Sequence, residues 1–196
     1  MPITIAGSGT ITGISAGGLP DGVITTDDIA ASAITRAKMG YAGAILQVVQ
    51  TYKTSIFSTT STTFVDITGL SVSITPSSAS SKIWVFASVQ TAGQDYSDRV
   101  IPLRLVRDST DIGLSDQSGS SRLTTSGGRH ASNQADSGVA CISFLDSPNT
   151  TSSITYKLTT RVGTVGTTII GRDGDTTDDQ NRATYPSSIT VMEVAG

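Results

Sequence analysis

The chain has 196 residues and a formal net charge of -3, which suits one domain with an appendage. With 13 Lys and Arg against 16 Asp and Glu, it lacks the basic footprint of a nucleic-acid or anionic-membrane binder. Glu193 is the only glutamate and there are four lysines, a poor supply for long solvent-facing helices, whereas Ser, Thr, Gly, Val and Ile favour strands and turns.

Residues 1–20 alternate Ile3, Ile5, Ile11 and Ile14 with glycines at 7, 9, 13, 17 and 18. Isoleucines recurring this regularly predict an extended segment with its own contacts rather than a plain linker. The spacing Gly7-x-Gly9-x-x-x-Gly13 misses the dinucleotide-binding pattern, so no phosphate site is expected. No basic n-region or apolar run marks a secretory signal, and no stretch approaches the ~18 apolar residues of a membrane span. The expectation is a chain made in a cytoplasm, without membrane insertion.

Asp21 to Met39 contains two units at a ten-residue offset, with Ile24 matching Ile34, Thr25 matching Thr35 and Ile29 matching Met39. Thr25 followed by Asp28 is a weak capping box, so each unit reads as an extended piece and about one helical turn. One turn cannot persist alone in water. Ile24, Ile29, Ile34 and Met39 therefore need cover from outside the segment, and other copies of the chain around a common axis would supply it. Gly40 to Gly43 reads as a joint between an arm, 1–43, and a domain, 44–196.

From Ala44 onward strands are expected at 44–52, 63–67, 69–75, 81–91, 99–107, 110–115, 138–146, 153–161, 166–171 and 187–194. Ile154, Tyr156 and Leu158 share one face. Between Ile83 and Val89 both faces are largely apolar, including Trp84 and Phe86, which predicts a central strand with one face in the core and the other against a second layer or a neighbouring subunit. Phe144, Ile142 and Val191 are further core candidates. Pro102 predicts an edge or bulge. The fold class is all-β, a sandwich or jelly roll. Two polar segments, 117–136 and 172–182, are expected as exposed loops.

Chemistry-bearing patterns are sparse. His130, the only histidine, has no metal-ligand spacing around it, and Cys141, the only cysteine, falls mid-strand as a small buried hydrophobe. Asp173, Asp175, Asp178 and Asp179 lack the calcium-loop spacing. No catalytic centre, metal or cofactor is expected. The aromatic residues are not interleaved with basic ones, so no nucleic-acid platform is expected either.

The run ITIAGSGTITGISAGGLPDGVITTDDIAASAITRAKM resembles the N-terminal arm of virion proteins of tailed phages, especially phages of aquatic bacteria such as cyanobacteria. ILQVVQTYK, LSVSITPSSASSKIWV, ACISFLDSP, ITYKL and SSITVMEV resemble the knob that follows such arms. The resemblance implies a homotrimeric fibre or spike on the virion surface, with a jelly-roll or tumour-necrosis-factor-like head. The arm, through Ile3, Ile5, Ile11, Ile14, Ile24, Ile29, Ile34 and Met39, would trimerise or dock on other virion proteins. The head would meet a host surface glycan through Tyr96, Arg122, Arg129, His130 and Asp175. Forty extended residues span at most about 140 Å, which suits a short tail appendage or, alternatively, a decoration or cement protein on the capsid. A virion-associated depolymerase is the remote alternative.

Overall fold

The computed structural model describes residues 43–94, 99–116, 123–130, 137–175 and 183–196, with Ile29, Thr177 and Gln180 as isolated positions. The chain divides into two units at Gly40 and Tyr41, and the fold described below belongs to the second. The expected arm, with its helical turns and Ile3, Ile5, Ile11, Ile14, Ile24, Ile34 and Met39, lies outside the described residues. Ile29, described alone, is exposed.

Among the described residues the protein is all-β. In chain order the strands are β1 (Ile45–Lys53), β2 (Phe57–Thr59), β3 (Val65–Ile74), β4 (Lys82–Gln94), β5 (Arg99–Arg107) and β6 (Thr110–Ile112). They continue with β7 (Ser126–His130), β8 (Ser137–Asp146), β9 (Ile154–Thr160), β10 (Thr167–Ile170) and β11 (Ser187–Val194).

Two sheets form. The first is built on β4, the longest strand. Along one edge it takes β8; along the other it takes β11 and then β10, with β1 beyond β11 and β2 beyond β10. The second runs β3, β9, β5, and the far edge of β5 is shared by β7 and β6. Every pairing is antiparallel, and a nested series runs through them. β1 pairs with β11 and β2 with β10, then β3 with β9, β4 with β8, and β5 with the short strands that follow it.

Period-two alternation builds the core. Ile83, Val85, Ala87 and Val89 of β4 are fully buried and meet Ile142, Ile189 and Val191 of the same sheet and Val72, Leu103, Leu105, Tyr156 and Leu158 of the other. Phe144 packs on this cluster while half-buried. The flanks are laced by polar contacts between sheets. Gln47 Nε2 donates to the Thr75 carbonyl at 2.8 Å and Thr51 Oγ1 to the Ser71 carbonyl at 2.7 Å. On the opposite side, Asp146 of β8 accepts from Arg107 Nη1 at 2.8 and 2.9 Å and from the Tyr156 hydroxyl at 2.6 Å.

Several expectations change in detail. Residues 63–67 and 69–75 are not two strands but one, interrupted by a register shift between Asp66 and Ser71, where Gly69 has a φ of 85°. β2 was not expected. The expected loop at 117–136 contains β7, which pairs with the first half of β5. Its Gly127 and Gly128 suggest a turn, yet here they allow close approach. A Cβ on Gly128 would lie 1.8 Å from Thr91 Oγ1, and one on Gly127 2.8 Å from Val100 Cγ1. Pro102 sits where β9 has ended: pairing with β9 begins at Leu103, so the missing N–H breaks no ladder bond.

Candidate functional site

The outward positions of the first sheet form a surface unlike that of an ordinary solvent-facing sheet. Pair register aligns Val48, Met192, Trp84 and Leu145 in one row across β1, β11, β4 and β8. The next row is Gln50, Thr190, Phe86 and Ser143, and the next Tyr52, Ser188, Ser88 and Cys141. Trp84 is 42% and Phe86 41% exposed, Val48 57% and Tyr52 61%. Leu145 and Val139 are exposed too. The polar members are neutral and partly engaged with one another: Gln50 Nε2 donates to Thr190 Oγ1 at 2.8 Å, and Trp84 Nε1 to Ser143 Oγ at 3.0 Å. These rows hold no Asp, Glu, His, Lys or Arg. At one end Gly43, Ile45, Trp84, Leu145 and Val194 line a shallow apolar hollow of about 360 Å³.

Trp84 and Phe86 thus face away from the core of their own chain. Cys141, expected as a buried hydrophobe, is exposed on the same surface, because it alternates with the inward Ala140 and Ile142.

The second sheet presents the opposite character. Its outward side carries the Asp66–Lys157 pair at 2.8 Å and the Arg104–Asp111 pair at 2.7 Å. Ser73 and Thr155 exchange a hydroxyl hydrogen bond at 2.8 Å. The Arg104 guanidinium stacks 3.9 Å from the Phe64 ring centroid, and that of Arg161 lies 5.3 Å from it. One sheet has a face suited to water and the other a face suited to being covered.

Of the residues expected to face a receptor, Tyr96 and Arg122 lie outside the described residues. Arg129 and His130 belong to β7, paired with Val100 and Arg99, rather than to a loop. Asp175 builds its own turn: its Oδ1 accepts from Thr177 N at 2.9 Å and Thr177 Oγ1 at 2.8 Å, and its N–H donates to Asp173 Oδ1 at 3.1 Å. Of these five side chains only that of Asp175 is described. Among the described residues no group of three His, Cys, Asp or Glu is placed to hold a metal, and no helix is long and apolar enough to cross a membrane.

Buried ionisable groups include Tyr156, on the face that the sequence predicts for the core, and Glu193 and Lys53, whose burial no sequence pattern signals. Glu193 is fully buried, yet its Oε1 accepts from Ser77 N at 2.7 Å, Ser77 Oγ at 2.5 Å and Ser81 Oγ at 2.7 Å, and its Oε2 from Gln47 Nε2 at 2.6 Å. Burial pushes its pKa up, but these donors outweigh burial and hold it below the usual carboxylate value. Lys53, also buried, lies over Gly69 and donates to Ser55 Oγ at 2.8 Å, and burial lowers its pKa. Burial, followed by the bond to Asp146, drives the Tyr156 hydroxyl far above the ordinary tyrosine range. All three tie strand ends and connections together.

No protein-family model matches the chain, and no curated protein matches it.

Proposed function

We propose that the chain is a structural virion protein, a homotrimeric short tail fibre or spike of a tailed phage, whose head binds the host surface and whose arm docks on other virion proteins. The observation that carries the proposal is the nested antiparallel pairing. A long hairpin rolled into two facing sheets supports a jelly roll, the head architecture implied by the arm and knob resemblance. The unlike outer faces support an assembling head, with one sheet available to partners of its own kind and the other to solvent. Recognition is assigned to Tyr96, Arg122, Arg129, His130 and Asp175, among which arginine forks suit anionic sugar groups.

Light scattering on the full-length chain should give three times 20.1 kDa, and a monomer at micromolar concentration would refute the trimer. In purified virions a fibre or spike requires tens of copies or fewer. Hundreds would assign the chain to capsid decoration instead. Shortening 117–122 and 131–136 while sparing β7 should leave the assembly intact, since loop entropy changes slowly with length. Phage carrying that change should adsorb poorly; unchanged adsorption with heat-fragile capsids would favour the cement.

A further inference from the structure

Resting on that reading, we infer that copies of this chain meet through the outward face of the first sheet, centred on Trp84, Phe86, Val48, Leu145, Met192 and Tyr52.

The argument begins with what the face lacks. From Val48 to Cys141 its three rows of paired outward residues hold no carboxylate, ammonium or guanidinium, whereas the outward side of the second sheet holds paired charges of both signs. A partner of different sequence is usually selected by complementary charge, and these three rows offer no such code, Lys82 standing beyond them in the row of Ile45 and Val194. A copy of the same chain needs none, because a neutral apolar face is complementary to itself. The chain is also net negative, so copies repel least where they bring no charge together.

Size agrees. Four strands about 4.8 Å apart, with three rows covering about 20 Å of strand length, give a footprint of roughly 400 Å². A corrugated face with two large aromatic rings exposes more accessible area than its footprint. That places it near the roughly 800 Å² that each partner contributes to a stable interface. Scattered apolar residues would need no explanation, but a contiguous patch spanning all four columns of a sheet does. The hollow between Ile45, Trp84, Leu145 and Val194 adds a socket, and Tyr52 is a large protruding side chain elsewhere on the same surface. A projection and a socket on one face suit the head-to-tail contacts that close a ring.

Cys141 supplies a reporter that requires no substitution. Its thiol is exposed on the isolated chain and lies in the row of Tyr52, Ser188 and Ser88. Copies seated on the face would cover it.

The test measures mass by light scattering and the rate of Cys141 labelling by a bulky maleimide, both on the full-length chain. Trp84→Glu and Val48→Glu place a carboxylate on the face at exposed positions, and Ser73→Glu does so on the second sheet as a control. Wild type and Ser73→Glu should be oligomeric and label at least about tenfold more slowly than the two face variants, which should be folded monomers by circular dichroism. If wild type is a trimer that labels as fast as its urea-unfolded form, the face is open and the inference fails while the trimer stands. The same holds if the face variants remain trimeric with slow labelling. A monomeric wild type that labels rapidly overturns both the inference and the proposed trimer. A monomer with a shielded thiol means that residues of the same chain cover the face, which also overturns the inference. Should a face variant fail to fold, the wild-type mass and labelling rate still decide.

Discussion

Glu193 is the residue on which the end of the chain depends. A buried carboxylate without a facing cation is tolerated because four donors converge on it, from Ser77, Ser81 and Gln47. It thereby fastens β11 to β1 and to the connection between β3 and β4. Glu193→Gln places an amide nitrogen where a donor already points, so it should cost about 1–3 kcal/mol in urea unfolding at neutral pH. The sign of the pH effect follows from the depressed folded-state pKa. Its stabilisation is complete above the unfolded carboxyl value, about 4.3, and is lost as pH falls through the lower folded value. The stability gap between wild type and Glu193→Gln should therefore narrow below about pH 4. A gap of equal size at low pH would show that packing, not the charge, is responsible. Tyr156 poses the complementary case. Tyr156→Phe leaves Asp146 with Arg107 alone and should cost about 1–3 kcal/mol, measured the same way.

At the scale of elements, β7 shows how a strand can be hidden in a loop-like sequence. Gly128 lies against Thr91 of β4, whose side chain is fully buried and whose Oγ1 donates to the Gly138 carbonyl at 3.1 Å. Gly128→Ala should therefore lower stability by about 1–3 kcal/mol or more, as overpacking does, and Thr91→Gly in the same chain should restore part of the loss. Additive losses in the double variant would place the strain elsewhere. The same contact explains what the sequence conceals. Most longer strands are legible, because Ile83, Val85, Ala87 and Val89 recur at every second position, and Ile154, Tyr156 and Leu158 alternate with polar residues. Short β2 and Gly-rich β7 are not, since their membership depends on neighbours far along the chain. Parity with Ile142 was signal enough to turn Cys141 outward. Nothing local, however, told whether Trp84 and Phe86 meet a second layer or another molecule, because both environments reward the same apolar side chains. Lys53 and Glu193 look like surface residues, and their burial depends on the Gly69 bulge and on Ser77 and Ser81.

For the whole molecule, the contrast between the two outer faces determines how assembly should respond to solvent. The charged pairs Asp66–Lys157 and Arg104–Asp111 lie on the second sheet and contribute little in water, where salt screens them. Contacts through the three inferred rows would carry no ionised group, although Lys82 stands at their end in the row of Ile45 and Val194, so screening would have little there to weaken, and relief of repulsion between net-negative copies acts in the opposite direction. Raising salt from about 0.1 M to about 1 M should leave the oligomer intact or tighten it, as followed by light scattering across a dilution series. Because only the assembled state buries the apolar rows, the melting temperature should also rise with protein concentration. Dissociation in salt, with a melting temperature independent of concentration, would mean that charged surfaces elsewhere hold the copies together and that the apolar face has another use.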